Sequence, residues 1–449
     1  MSDDIETPSA KPSRAVTAWT LGLLCLSIVA GGVIVGGLLH HPEHELTTAP
    51  VTTTKPKPEK KHTYGTPPVT YPTQIPGCAT VEPPGENEGF SMVSGGRPSY
   101  DNPAYPWFSG PKAVAMSAAA LDALPDGVAL TFASLDDSLV FEPIFSPEDP
   151  ADAARFGGST TAHAQLSREG KAGSLFVSVH QSTQPIPACV AGDLDARRIL
   201  PDGTTVDTHD TWSETDGVRT LRRSATAYTP DGSRVYASAD DSSDTGSPSG
   251  KVPMTIDELV ALATTPGVRV TTPVPPGTPD APLPCRYWPT PKKASTPIDE
   301  TTARRLDSVL SRIQLDGLVL DRPLGTLRPD SYGPGVCQAV RVTATGQQSE
   351  LRIVITVEPT RPTESTQPSR SDPRTSTRTL PDGTVIETQE PDASVVATGE
   401  NSPQVTRTVV VTRPSGTEVE VSSTAKSAPE LLSAAQLEAI ASTPDLEVK

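Results

Sequence analysis

The chain has 449 residues, a formal net charge of −17 and 49 prolines, while only 4% of its residues are aromatic. This much proline and so little aromatic surface exclude one compact globule of this length and favour smaller domains joined by linkers. The excess of acidic residues repels phosphate backbones, so nucleic acid is not an expected partner.

The first predicted element is an apolar run without charged residues at residues 16–39. At about 1.5 Å per residue, a helix of this length crosses the ~30 Å hydrocarbon core of a bilayer. The run is longer than the apolar region of a cleavable signal peptide and lacks a small-residue cleavage site at its end. We therefore predict an uncleaved, single-pass transmembrane helix. Gly32 and Gly36 match the close-packing GxxxG pattern, so a homodimer through this helix is one expectation, although bilayer helices are often rich in glycine.

The cysteines indicate which side of the membrane the rest of the chain occupies. Cys25 falls inside the apolar run, and the other four cysteines, an even number, all follow it. Paired cysteines in a membrane-anchored chain are typical of an oxidising compartment. We therefore expect residues 1–15 to form a cytoplasmic tail and residues 40–449 to lie outside the plasma membrane.

Three proline-rich stretches divide the outer part of the chain. Residues 40–77 are rich in Pro, Thr and Lys and have too few large apolar side chains to fold, so we expect a disordered linker. Residues 273–284 predict a connector between two modules, and residues 359–378 predict a disordered insert.

The segments on either side of the connector repeat the same motifs in the same order. The sequence LPDGT at residues 200–204 recurs at 380–384, and residues 255–266 recur with substitutions at 433–444. The second motif begins with a capping box, continues as an apolar stripe and reaches a proline, so it predicts a short helix. We expect a short strand after each helix, ending at Val270 or Val448.

The repeat extends upstream. The segment after Trp107 resembles the segment after Trp288, and both precede a predicted helix with a Leu-Asp pair, at residues 121–122 and 306–307. Thr296 is the expected N-cap of the second of these helices. Strand pairs follow at residues 162–166 and 175–179 in the first copy, and at 340–344 and 351–357 in the second. The sequence therefore predicts an α+β fold with two tandem, related modules of antiparallel sheet and helices, at residues 78–272 and 285–449.

This division assigns two cysteines to each module. Three pairings are conceivable, but pairing within a module is favoured because the connector separates the two. We predict the disulfides Cys78–Cys189 and Cys285–Cys337, each of which stabilises by ~2–4 kcal/mol.

The sequence contains no phosphate-binding loop, serine-hydrolase elbow, zincin motif or CxxC. Ser423 and Lys426 match the pattern S-x-x-K, but its companion motifs are missing, and the end of a solvated hairpin is the preferred interpretation. We predict no catalytic residue, no cofactor and no metal site.

Two groups of residues have side chains of the types that bind metal ions. A histidine cluster lies in the linker, where no fixed geometry is expected (His40, His41 and His44). The acidic stretches at residues 148–152 and 240–244 lack the spacing of a calcium-binding loop, so solvated turns are the preferred interpretation.

An additional segment of the first module, residues 90–108, is rich in glycine, proline and aromatic residues. Exposed aromatic rings on loops stack on sugars or peptides, whereas buried ones fill a core. The candidate ligand surface consists of Tyr100, Tyr105, Trp107 and Phe108, with core packing as the alternative.

The anchor, the Thr/Pro spacer, the LPDGT turns and the L-x-A-[LI]-A-[ST]-T-P tails resemble single-pass, membrane-anchored surface proteins of actinobacteria. The resemblance is confined to the ends of the repeats and implies an envelope location without any catalytic residue. We expect a non-catalytic cell-envelope protein that displays two modules towards a cell-wall or surface ligand. Two alternatives remain, a transmembrane sensor or regulator acting through a cytoplasmic partner and an envelope hydrolase.

Overall fold

The computed structural model describes residues 63–85, 97–147, 157–243, 247–285, 296–331, 333–357, 374–391 and 404–448. The predicted tail and membrane helix, including Gly32 and Gly36, lie outside the described residues. Within those ranges no helix is long and apolar enough to cross a membrane. Contacts between residues divide the chain into Met1–Lys61 and His62–Lys449, and the described residues all belong to the second unit.

The described part of the first module contains twelve strands and two α-helices. In chain order they are β1 (Tyr64–Gly65), β2 (Val81–Glu82), β3 (Arg97–Ser99), α1 (Gly110–Asp122), β4 (Val128–Leu130), β5 (Ile144–Ser146), β6 (Ser159–Arg168), β7 (Lys171–Gln181), β8 (Cys189–Val190), β9 (Ala196–Ile199), β10 (Thr205–Thr215), β11 (Val218–Tyr228), β12 (Ser233–Asp240) and α2 (Ile256–Thr264). Eight strands form one antiparallel sheet in the order β1-β10-β11-β12-β7-β6-β4, with β9 also paired to β10.

The second module repeats this plan. Its elements are α3 (Glu300–Leu310), β13 (Leu318–Leu320), β14 (Arg328–Pro329), β15 (Val336–Ala344), β16 (Gln347–Val357), β17 (Thr375–Thr379), β18 (Val385–Gln389), β19 (Val405–Thr412), β20 (Thr417–Ala425) and α4 (Ala434–Ala441). Its eight-stranded sheet has the order β13-β15-β16-β20-β19-β18-β17, with β14 also paired to β15. Counted from β9, the first sheet has the order β9-β10-β11-β12-β7-β6-β4. Counted from β17, the second sheet has the order β17-β18-β19-β20-β16-β15-β13. The strands correspond one to one, so the two modules are similar in topology.

Alternation along the strands separates the two faces of each sheet. On β7 the side chains of Leu175, Val177 and Val179 are buried, while their neighbours in sequence are partly exposed. The buried face carries the helices, whose apolar stripes complete each core. The largest helical contributors are Met116, Leu259 and Leu262 in the first core and Leu306, Leu310, Leu437 and Ile440 in the second.

The capping boxes form as the sequence predicts. The hydroxyl of Thr255 accepts a hydrogen bond from the backbone N–H of Glu258, and Ser433 does the same for Gln436. The N-cap of α3 is different from the expected one. Asp299, rather than Thr296, accepts from the N–H of Thr302, at 2.7 Å, because the helix begins only at residue 300.

The strands predicted to end at Val270 and Val448 are wrong. Neither segment pairs with a strand; instead each is held by one buried hydroxyl of the adjacent sheet. The N–H of Val270 donates to Oγ of Ser233 at 3.0 Å, and the N–H of Val448 donates to Oγ1 of Thr417 at 2.9 Å. An apolar residue after a helix can thus be fixed without a β-ladder.

The register of the two upstream helices also needs correction. Leu121 and Asp122 are exposed, whereas Asp307 is buried. The structural counterpart of Asp307 is Ser117, since each side chain accepts a hydrogen bond from a backbone N–H in the segment that follows its helix. Oγ of Ser117 accepts from the N–H of Phe141 at 3.0 Å, and Oδ1 of Asp307 accepts from the N–H of Leu327 at 2.7 Å.

The borders of the predicted linkers shift as well. Residues 63–77 are part of the first module, because β1 pairs with β10 and Ile75 packs with Cys189 and Leu194. Residues 375–378 of the predicted insert belong to β17, which pairs with β18. Proline and threonine composition predicted these boundaries poorly because pairing at a sheet edge depends on distant backbone partners.

The connector is also packed against the second module. Ala281 is completely buried, and its carbonyl accepts from Nη1 of Arg341 at 3.0 Å. Nη2 of Arg322 donates to the carbonyl of Asp280 at 2.9 Å.

Candidate binding surface on the first module

Both disulfides pair as the sequence predicts. Cys78 is bonded to Cys189 and joins the entry segment of the first module to β8. Cys285, the residue directly after the connector, is bonded to Cys337 of β15. Each bridge therefore fastens a proline-rich segment to its own module.

The aromatic segment predicted as a candidate ligand surface packs with the first core. Phe108 is only 3% exposed, and Tyr100, Tyr105 and Trp107 are partly buried against the same cluster. The ring of Phe108 lies 5.9 Å from that of Tyr100 and 5.2 Å from that of Trp107, measured between centroids. These contacts correspond to the core-packing alternative.

The other residues singled out by motif have structural partners. Ser423 is fully buried, and its Oγ accepts from the N–H of Leu432 at 3.1 Å. Asp241 is buried and accepts from the N–H of Leu221 at 2.8 Å. Within the described ranges no three His, Cys, Asp or Glu side chains are grouped to hold a metal ion. The linker histidines and residues 148–152 lie outside those ranges.

The outer face of the first sheet carries three aromatic rings that no sequence motif indicates. His163 on β6, Phe176 on β7 and Tyr236 on β12 all point away from the helices, because they alternate with buried residues. The ring centroids of His163 and Phe176 are 4.9 Å apart, and those of Phe176 and Tyr236 are 6.0 Å apart. The rings line a cavity of about 360 Å³.

Polar groups surround these rings. The guanidinium of Arg222 on β11 binds both carboxylate oxygens of Asp240 on β12, at 2.7 and 3.1 Å. This hydrogen bonding raises the pKa of Arg222 and keeps the group charged. Oε1 of Gln165 is buried, and no described residue donates a hydrogen bond to it. The remaining polar members of the lining are Asp137, Ser174 and Ser238.

A second, larger cavity of about 730 Å³ lies next to the first, and Arg222 lines both. Its walls are residues 66–70, residues 191–195 and residues 209–213 of β10. Five consecutive residues of one strand line this cavity, so it lies at the edge of the sheet and not over one face. The two cavities therefore form one continuous surface, which we call the outer groove.

The second module lacks the aromatic part of the outer groove. In the strand register, Phe176 on β7 lies opposite His163 on β6 and Ser238 on β12. In the second module, Arg352 on β16 lies opposite Ala339 on β15 and Ser422 on β20. By this register the counterparts of the three rings are Ala339, Arg352 and Glu420. Nη2 of Arg352 and Oε1 of Glu420 form an ion pair at 3.4 Å. A sequence signal for the groove was available, since Phe176 occupies a polar-face position between Ser174 and Ser178.

No protein-family model and no curated protein matches this chain. Among solved structures, the chain is similar to MucB in complex with MucA(peri), at 9% identity and a TM-score of 0.14, over 65% of this chain and 93% of that chain. The Pseudomonas aeruginosa MucA/MucB complex matches at 9% identity and a TM-score of 0.14, over 65% and 94% of the two chains. The tail fiber of Staphylococcus aureus phage P68 matches at 8% identity and a TM-score of 0.12, over 61% and 67%. Scores this low do not establish a shared fold.

Proposed function

We propose that the protein is a non-catalytic binding protein of the cell envelope, anchored by the helix predicted at residues 16–39, whose first module binds its ligand in the outer groove. The observation that carries the proposal is the cluster of His163, Phe176 and Tyr236 beside the Arg222–Asp240 pair. Partly exposed rings gain free energy when a ligand removes them from water, while the polar groups fix its orientation.

The second module provides the internal comparison for this proposal. A sheet face in contact with water is normally polar, and the second module follows this rule with Arg352 and Glu420 at the critical positions. The first module does not follow this rule, because its outer face carries the aromatic residues Phe176 and Tyr236 at the equivalent positions. Because the two modules share one topology, the difference supports a specialised role for the first.

Three further observations bear on the setting and on the alternatives. Two disulfides in the outer part of the chain support an oxidising, extracytoplasmic location. Ser423, which matches the S-x-x-K pattern, accepts a hydrogen bond from the backbone N–H of Leu432, a structural role. The sensor alternative requires a partner of residues 1–15, which lie outside the described residues.

Cosedimentation of the full-length chain, in nanodiscs, with purified cell-wall fragments tests the proposal. The double variant Phe176→Ala/Tyr236→Ala is expected to bind about thirtyfold more weakly or worse, since truncation of a central aromatic commonly costs ~2 kcal/mol of binding. The matched control is Arg352→Ala/Glu420→Ala at the equivalent positions of the second module, which is expected to bind like the unmodified chain. Equal binding by both double variants, or no binding by the unmodified chain, would contradict the proposal.

A further inference from the structure

The edge of the first sheet is interrupted within the outer groove. Strand β9 pairs with residues 205–208 of β10, and β1 pairs with residues 214–215. Residues 209–213 of β10 therefore border a gap between these two short strands. The same five residues form one wall of the larger cavity.

The orientation of the backbone in this gap follows from the bonds on either side. The N–H of Asp195 donates to the carbonyl of Thr208 at 2.7 Å, and the N–H of Asp216 donates to the carbonyl of Thr63 at 2.9 Å. Even-numbered residues of β10 thus turn their backbone groups away from β11. Because this orientation alternates in an antiparallel ladder, the N–H and carbonyl of Trp212 and the carbonyl of Asp210 point into the gap.

Among the described residues, neither β1 nor β9 pairs with this part of β10, and no other hydrogen bond reaches these three backbone groups. The reason lies in the entry segment. If the pairing of Gly65 with Glu214 continued, Pro67 would lie opposite Trp212, but proline has no N–H to donate. The N–H of Asp210 is satisfied by a side chain, Oδ2 of Asp195 at 2.6 Å, and not by a strand.

The charges around the gap are mainly negative. Asp193, Asp195 and Asp210 line it and are exposed. The arginine in its lining, Arg222, is already neutralised by Asp240. Asp210 is paired with Arg223 at 3.0 Å, which leaves Asp193 and Asp195 to attract a cation. The gap is therefore complementary to a basic ligand.

We propose that the gap binds an extended segment of a partner polypeptide that carries basic side chains. The segment adds as a short strand between β9 and β1, accepts from the N–H of Trp212, and donates to the carbonyls of Asp210 and Trp212. Backbone hydrogen bonds hold such a strand, and side-chain pockets select it. The inference rests on the proposed function, because it specifies the ligand class for the part of the outer groove at the sheet edge.

Fluorescence anisotropy with a labelled synthetic peptide, KTVKVTK, and the full-length chain in nanodiscs tests the inference. An acidic analogue, ETVEVTE, and a proline analogue, KTVPVTK, are expected to bind more weakly. Trp212→Pro removes the N–H that points into the gap, and proline is tolerated at an edge position of this kind. Trp212→Ala is the matched control, because it also removes the indole ring but keeps the N–H. The proline variant is expected to bind about fivefold more weakly than the alanine variant, the effect of one backbone hydrogen bond.

A second measurement does not depend on the proline variant being folded. Hydrogen exchange of the unmodified chain with bound KTVKVTK is expected to show slower exchange at residues 209–213, and Asp193→Asn is expected to weaken binding at low salt. Absence of binding, no protection of residues 209–213, or equal affinity of folded Trp212→Pro and Trp212→Ala would overturn the inference.

The double variant Phe176→Ala/Tyr236→Ala, here called the face variant, separates this inference from the proposed function. If Phe176→Ala/Tyr236→Ala abolishes cell-wall binding while KTVKVTK fails to bind, the edge site is wrong and the proposed function stands. If KTVKVTK binds at residues 209–213 and the face variant retains cell-wall binding, the edge site stands and the outer face is not the cell-wall site.

Discussion

Asp231, in the turn between β11 and β12, joins this turn to the segment that follows α2. Its carboxylate accepts hydrogen bonds from the hydroxyls of Thr229 and Thr271 and, at 2.9 Å, from the N–H of Ser233. Partial burial raises the pKa of Asp231, but these hydrogen bonds outweigh it and lower the pKa to about 2. Ser415 occupies the corresponding turn of the second module, so one turn is charged and its counterpart is neutral.

The substitution Asp231→Ser, which installs the residue of the second module, is expected to lower the free energy of unfolding by ~1 kcal/mol at pH 7, after discounting for solvent screening. The pKa in the folded state is below the ordinary value of 3.8. The contribution is therefore complete above pH 4 and is lost as the pH falls through 2. Urea denaturation at pH 7, 4 and 2 measures it. Ser415→Ala is the control, with an effect independent of pH over this range; a similarly constant effect of Asp231→Ser would contradict the assignment.

The helices α2 and α4 show at the scale of elements how a local motif determines structure. In both, the side chain at the third helical position accepts a hydrogen bond from the N–H of the capping residue. The N–H of Thr255 donates to Oε2 of Glu258 at 2.8 Å, and the N–H of Ser433 donates to Oε1 of Gln436 at 2.9 Å. These bonds satisfy backbone groups that the helix itself leaves unpaired. Both helices then cover a sheet face, so their ends influence the packing of each core.

Thr255→Ala and Ser433→Ala are each expected to destabilise the protein by ~1 kcal/mol, because each removes the acceptor of one N–H at a helix start. The change is measured by urea denaturation monitored by far-UV circular dichroism. Thr301→Ala, at an exposed position in the first turn of α3, is the control and should change stability by less than ~0.5 kcal/mol. Effects as small as the control at both caps would show that tertiary contacts alone fix these helix starts.

Elements governed by local patterns could be predicted from the sequence, whereas those governed by distant partners could not. The strand predicted at residues 175–179 and the capping box at Thr255 follow from alternation and capping chemistry. The segment ending at Val270 could not be predicted, because its partner is the hydroxyl of Ser233 on a distant strand. The outer groove was missed for a related reason. Phe176 signals an aromatic residue on a polar face, but only the sheet register brings it to Tyr236.

At the scale of the whole molecule, the loop at residues 131–138 of the first module contacts the second module. Phe132 packs against the second core, and the guanidinium of Arg304 lies 5.4 Å from its ring centroid. Nη1 of Arg328 donates to Oγ of Ser138 at 2.9 Å. The connector itself is hydrogen-bonded to the second module, through Arg322 and Arg341. The two similar sheets therefore belong to one contact unit in spite of the proline-rich segment between them.

This coupling predicts that the two modules unfold together and that Phe132→Ala separates them. Truncation of a partly buried phenylalanine at the contact is expected to cost ~2 kcal/mol, somewhat less than at a fully buried site. The substitution weakens the interaction between the modules and not the core of either one. The single thermal transition expected for the unmodified chain should therefore split into two, which differential scanning calorimetry measures. Phe145→Ala, at an exposed phenylalanine of β5, is the control and should keep one transition. A single transition in Phe132→Ala as well would show that Phe132 is not needed to couple the two modules.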